Sequence, residues 1–217
     1  MTTELRTGTT GTGDAAVPQE GTAVGALAAF HLRMAGPGAA LAGPGGHALV
    51  PADTLDSVSH LVVDGRRLPR NQDSETVVDL PALDDVVVLS SGLAGDAEPD
   101  AGCLAELGRL RHAWSQGLLR AVVVHLGGRT SGDGTLLDHQ LVKGALADAV
   151  IGQRENETLL AAADAEPGDL RLLHDRITEV DRVLLRLAGA YGFTAEGPGR
   201  TVHLSELLSH LYLRGEQ

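Results

Sequence analysis

The stretch DLRLLHDRITEVDRVLLRLAGAY, residues 169–191, places Leu170, Leu173, Ile177, Val180, Leu184, Leu187 and Tyr191 at intervals that alternate by three and four. That spacing gathers them on one stripe of an α-helix, which must be covered by other helices, as in a bundle. Two further helices fit the pattern. The first runs from about Pro99 to His125, with Leu104, Leu107, Leu110, Leu118 and Val122 on repeating faces; the second runs from Thr135 to about Ala163, with Leu137, Leu141 and Leu160 apolar. A fourth, LSELLSHLYL, closes the sequence. Connections of roughly 4–10 residues between helices of this length make neighbours antiparallel. Residues 99–217 therefore read as an up-down helical bundle.

Upstream the texture changes. HALVP, VSHLVV, ETVVDL and DDVVVL are short β-branched runs separated by turn residues, so a small β region covers about residues 46–91. TAVGALAAFHLRM, residues 22–34, reads as a short helix broken by the following AGPGAALAGPGG. Residues 1–21 are rich in Thr and Gly without a period and are expected to be disordered. The fold class is thus mostly α with a small β region. Its expected units are a tail (1–21), a short helix with the β region (22–91) and the bundle (99–217).

Composition excludes several functions. The net charge is −12 and Lys143 is the only lysine, which disfavours nucleic acid and anionic membranes as partners. One cysteine, Cys103, rules out an intramolecular disulfide or a multi-cysteine metal site and fits a reducing cytoplasm. No secretory signal and no membrane-spanning run is visible. The nine histidines form no His-Glu-x-x-His pattern, so no metal is expected; no Gly-x-Ser-x-Gly elbow occurs.

The segment GGRTSGDGTLLDHQLVKGALADAV, residues 127–150, could be a phosphate cradle at a helix N-terminus or a connection between antiparallel helices. Its register decides in favour of the connection. Arg129, Leu136, Gln140, Val142, Leu146, Ala147 and Asp148 fall without a gap on a pattern of the acyl-CoA dehydrogenase C-terminal domain. A second stretch, RLAGAYGFTAEGP (186–198), resembles that family's Gln-x-x-Gly-Gly-Tyr-Gly-Phe-Thr-x-Glu-x-Pro segment at Gly189, Tyr191, Gly192, Phe193, Thr194, Glu196 and Pro198. VVDLPALDDVVVL is similar to the last strand of the family's middle β-domain. The resemblance covers roughly residues 75–217 and implies a flavin-binding scaffold for acyl thioesters, in which Arg129, Gln140 and Arg186 would contact a flavin or phosphate.

The departures are as specific. Members of the family are usually near twice this length. Gly132 and Asp133 stand where the pattern has Phe and Gly, Arg186 where it has Gln, and Ala190 where it has its second Gly; its Arg-Asp pair falls at Leu204 and Ser205. The family's carboxylate base falls at Leu213, which cannot take a proton. Glu106 on the first bundle helix is the nearest alternative acid. His203 and His210, seven apart on one helical face, are candidates for general acid-base work. Asp148 and Asp181 read as solvated or ion-paired.

Three readings follow. In the first, the chain binds or acts on an acyl or polyketide thioester, carried by CoA or a carrier protein, with no cofactor. It would do so in bacterial specialised metabolism, as a non-redox tailoring enzyme or as an accessory subunit. In the second it is an FAD-dependent dehydrogenase subunit completed by a partner chain. In the third it is a non-catalytic binding or structural module. Assembly with itself or with another acyl-CoA dehydrogenase-like chain is expected.

Overall fold

A computed structural model of the chain describes residues 22–71, 73–80, 83–92, 95, 99–162, 166–194 and 197–213. The expected tail at 1–21 lies outside these residues, as does Glu196. Helix α1 spans Ala23–Ala35; the Thr22 hydroxyl accepts the Gly25 N–H at 3.0 Å, a cap that stabilises such a helix by about 1 kcal/mol. Six short strands follow: β1 (Ala39–Leu41), β2 (His47–Pro51), β3 (His60–Val63), β4 (Arg66–Pro69), β5 (Thr76–Asp79) and β6 (Val86–Ser90). They form two three-stranded sheets, ordered β1-β3-β4 and β2-β6-β5. The β1–β3 pair is parallel and the others antiparallel, with Ala40 opposite Leu61 and Leu49 opposite Val88. The β region begins at Ala39 and not near 46, because Ala-Ala-Leu between glycine-rich turns carries no β-branched signal. Asp64 and Gly65, at φ 50° and 70°, make the β3–β4 turn, which asks for positive φ at both central positions.

His31 ties α1 to both sheets. Its Nδ1 accepts the Leu41 N–H (3.1 Å) from β1, which puts the ring proton on Nε2, facing the Leu49 carbonyl (2.7 Å) of β2. Burial pushes its pKa down to about 4.

The bundle contains α2 (Ala101–Gly127), α3 (Gln140–Ala161), α4 (Pro167–Ala188) and α5 (Gly199–Leu213). Side-chain pairings fix the directions. Gln153 meets Ser115 while Glu157 meets His112, so α3 is antiparallel to α2. His174 meets Leu104 while Tyr191 stacks on His125, so α4 runs with α2. Arg182 meets Glu206, with α5 returning against α4. The α4 stripe buries Leu170, Leu173, Ile177, Val180 and Leu184, and with them two polar groups, His174 and Asp181. One apolar cluster crosses from the sheets into the bundle: Leu27 and Phe30 of α1, Leu49 of β2, Leu107, Leu110 and Trp114 of α2, and Leu204, Leu208 and Tyr212 of α5. Gly43 lies against α5 so closely that a Cβ there would stand 1.8 Å from the Leu211 carbonyl oxygen.

The glycine-rich segment is the α2–α3 connection. Thr130–Ser131 pairs with Gly134–Thr135 around Gly132 (φ 60°). Asp138 accepts the Thr135 N–H and hydroxyl, both at 2.9 Å, closing a capping box ahead of α3.

Candidate functional site

The second sequence motif becomes a tight turn between α4 and α5. Helix α4 stops at Gly189 (φ 56°), a 3-10 turn covers Gly189–Phe193, and α5 starts at Gly199. Two backbone approaches hold this turn shut. A Cβ on Gly197 would lie 1.9 Å from the Tyr191 carbonyl oxygen, and one on Gly199 would lie 2.1 Å from that of Gly192. Only glycine permits either contact.

The turn separates two clefts. The first, of about 610 Å³, is walled by Leu185, Phe193 and Val202 and rimmed by Asp84, Arg200, His203 and Glu206. That volume falls in the range of small-molecule sites, about 300–1,000 Å³. Phe193 stands 77% exposed over it, an uncommon state for a large aromatic ring. The charged groups of the rim are mutually occupied. Arg200 pairs with Asp84 (2.8 Å) and Asp85, and Glu206 accepts from Arg182 Nε at 2.9 Å. His203 is exposed and makes no hydrogen bond among the described residues, so its ring nitrogens stay available in the cleft. The second cleft, of about 520 Å³, lies between α1, α2 and Tyr191.

The residues singled out from sequence are not brought to one place. His210, one helical turn beyond Glu206, bonds through Nδ1 to the Glu206 carbonyl (2.9 Å) and does not line the first cleft. Glu106 faces α1, held by Arg33 (3.3 Å) and Arg109 (2.9 Å), away from His203. Arg129, Gln140 and Arg186 are all exposed at the end of the bundle where α2 and α4 finish and α3 starts. Asp148 is exposed as expected, but Asp181 is 2% exposed, against its reading as a solvated or ion-paired group. It sits four residues after Ile177 on the buried stripe and hydrogen-bonds Ser115; desolvation raises its pKa to about 6.

Asp181 belongs to a buried polar seam that the sequence reading missed. Arg111 of α2, fully buried, donates from Nε to Ser205 (2.9 Å), from Nη1 to His174 Nδ1 (3.0 Å) and from Nη2 to Thr178 (2.7 Å). A guanidinium has no proton-accepting form here, so Nδ1 is the acceptor and His174 carries its proton on Nε2, facing the Leu104 carbonyl at 3.1 Å. Burial and the neighbouring guanidinium hold His174 far down, at about 3. Burial lowers Arg111 to about 10, which leaves it charged at neutral pH. The seam links α2, α4 and α5 directly behind the first cleft, since Ser205 precedes Glu206.

A third cleft of about 280 Å³ lies where the β1–β2 loop meets the end of α5, lined by Gly43, Asp64, Asp100, Cys103 and Tyr212 among others. This is beside Leu213, the position that the resemblance gives to the base. The Tyr212 hydroxyl donates to the Leu41 carbonyl (2.8 Å), Gly43 abuts Leu211, and burial pushes the Cys103 thiol up to about 11. A space of that size with two carboxylates does not fit a flavin and its pyrophosphate. The exposed trio Arg129, Gln140 and Arg186 lines none of these three clefts. Among the described residues, none of these three clefts gathers that trio around a flavin pyrophosphate.

No protein-family profile and no curated protein matches the sequence. Solved structures do match. A steroid acyl-CoA dehydrogenase variant aligns with 79% of the chain at a TM-score of 0.56 and 16% identity. Butyryl-CoA dehydrogenase from Megasphaera elsdenii aligns with 79% at a TM-score of 0.53 and 13% identity. The fold is that of the acyl-CoA dehydrogenases. The chain spans 57% and 58% of the length of those two proteins. FkbI, for biosynthesis of the methoxymalonyl extender unit of a polyketide immunosuppressant, aligns with 86% of the chain and 74% of its own length, at a TM-score of 0.54 and 16% identity. In this acyl-CoA dehydrogenase-like chain, no described helix is long and apolar enough to cross a membrane, and no described group of His, Cys, Asp and Glu side chains could hold a metal.

Proposed function

We propose that the chain binds an acyl thioester in the cleft beside Phe193 and acts on it without flavin oxidation of its own, in bacterial specialised metabolism. The single observation that carries this is the cleft of about 610 Å³ with apolar walls and an unengaged His203. Leu185, Phe193 and Val202 suit an acyl chain, and Arg200, paired with Asp84 and Asp85, and Glu206, paired with Arg182, add polarity at the rim with no unpaired charge. Imidazole is the side chain best matched to moving a proton near neutral pH. For a β-hydroxyacyl thioester, His203 takes the α-proton, the C–H electron pair becomes the C=C bond, and the β-C–O bond breaks. The proton returned by the imidazole leaves with the hydroxyl as water. Dehydration of this kind, or ring closure by a tethered nucleophile on the same acyl group, balances without any redox partner. The thioester carrier is CoA or a carrier protein. The likeness to FkbI, which serves polyketide extender-unit biosynthesis, supports the metabolic setting.

Incubating the protein with a β-hydroxyacyl thioester and following its mass tests the reading. Loss of one water is expected with the wild type and with His210→Gln, and none with His203→Gln. Equal turnover by His203→Gln would sink it.

A second reading has one specific observation in its favour. Arg129, Gln140 and Arg186 share one exposed end of the bundle, as side chains that reach toward a flavin held on a partner chain would. On that reading the protein is an FAD-dependent dehydrogenase subunit in a homo- or hetero-oligomer. FAD added to the purified chain alone stays free, and FAD added with the partner is retained on gel filtration. A yellow, flavin-loaded protein purified alone overturns both the flavin-free reading and the poor fit of a single chain.

A further inference from the structure

The cleft behind Tyr191 differs from the first in the state of its cation. Its aromatic walls are Trp114, the chain's only tryptophan, and Tyr191, one of its two tyrosines. Tyr191 is held in place by stacking on His125, with ring centres 4.2 Å apart and planes 9° from parallel. Between them the floor is small: Ala113, Gly117 and Ala121 of α2 face Ala23 and Ala26 of α1. Arg120 stands at the rim, exposed, and its Nη2 lies 3.8 Å from where a Cβ on Gly117 would be. The guanidinium is therefore folded back over the floor.

In a chain of net charge −12, many of the described arginines are neutralised. Arg33, Arg109, Arg154, Arg176, Arg182 and Arg200 all pair with carboxylates. Arg120 has no ion-pair or hydrogen-bond partner among the described residues. No acidic residue occupies the first turn of α1, which opens onto the same cleft, so no carboxylate of that turn competes for the site. The buried indole N–H of Trp114 also lacks an acceptor. A planar guanidinium matches an oxyanion fork, and flat aromatic walls over an alanine-glycine floor match a flat apolar body.

We infer that this cleft is a second ligand site, for a small organic oxyanion with a flat apolar body: the anionic group lies on Arg120 and the body between Trp114 and Tyr191. The site is independent of the His203 cleft and of the reaction proposed for it.

The test uses 2-naphthoate titrated into the full chain, followed through the emission of Trp114. The comparisons are the neutral analogue 2-naphthylmethanol and the variants Arg120→Gln, Gly117→Leu and His203→Gln. Gly117→Leu fills the floor while improving helix propensity, so the fold is retained. The wild type and His203→Gln are expected to show the same saturable quenching by naphthoate. Binding weakens about tenfold or more for Arg120→Gln and for the alcohol, the loss of one charge-assisted contact. Gly117→Leu abolishes it without lowering the unfolding midpoint. Absence of quenching at millimolar naphthoate overturns the inference. So does equal affinity across wild type, Arg120→Gln and Gly117→Leu, which places the probe elsewhere, or equal affinity for acid and alcohol, which removes anion recognition.

Discussion

Acid should unfold this protein through two histidines that no charge partner protects. His31 receives the Leu41 N–H on Nδ1, and His174 receives the Arg111 guanidinium on the same atom. A second proton on either ring would face a donor in a buried place. Their folded pKa values, about 4 and about 3, lie below the ordinary histidine value of 6.5. The unfolded chain therefore binds more protons over that window, so the stability they contribute is complete above 6.5 and is lost as the pH falls toward 4 and 3. Each pH unit in the window costs about 1.4 kcal/mol per histidine, or about 4 kcal/mol for the pair between pH 7 and 5. Asp181 acts in the opposite sense. Its folded pKa of about 6, above the ordinary 3.8, means that protonation on acidification favours the fold and returns about 1 kcal/mol by pH 5. The net loss is about 3 kcal/mol, which lowers a urea midpoint by roughly 1–3 M. Trp114, alone of its kind and 9% exposed, reports the transition by fluorescence. His174→Gln keeps an amide donor for the Leu104 carbonyl but has no proton to gain, so it should remove about 2 of the net 3 kcal/mol, leaving about a third of the pH dependence, while lowering stability at neutral pH. Identical urea midpoints at pH 7 and 5, or a slope unchanged in His174→Gln, would refute the reasoning.

Other expectations follow from single contacts. Gly199→Ala drives a Cβ into the Gly192 carbonyl and should cost about 2 kcal/mol or more in denaturant unfolding, whereas Gly144→Ala, with nothing within 4 Å in the exposed middle of α3, should gain about 0.5–1 kcal/mol. Arg111→Met strips partners from Ser205, Thr178 and His174 and should cost about 3–5 kcal/mol; two-dimensional NMR should show the His174 pKa rising once the guanidinium is gone. Tyr212→Phe leaves the Leu41 carbonyl short of a donor and should cost about 1–2 kcal/mol by thermal unfolding. Phe193→Ala, at an exposed position, should leave stability within about 0.5 kcal/mol while weakening acyl-thioester binding measured by calorimetry.

The bundle was legible because its driving force is periodic. Leu170, Leu173, Ile177, Val180 and Leu184 are buried at the spacing that predicts it, and the glycine-rich segment is the helix connection that its register implies. The polar seam was written in the same period but in residues that a hydrophobic pattern discards. Leu104, Leu107, Arg111, Trp114, Leu118 and Val122 step by three and four along α2, and Arg111 occupies a buried step between two apolar ones. His174 follows Leu170, and Asp181 follows Ile177, by one helical turn. A charged residue on an apolar stripe is ordinarily discounted as solvated, and the partners of Arg111 lie 63–94 positions away, so nothing local signals that they exist. The second motif has a structural requirement of its own. Gly197, at an unmatched position of the motif, and Gly199, just beyond it, meet backbone carbonyls, a requirement of the α4–α5 turn that holds whether or not a cofactor is bound. What such a motif preserves first is the shape of the turn. The chemistry then depends on the side chains around it, and in this chain those are Phe193 and His203 on one side and Trp114 and Arg120 on the other.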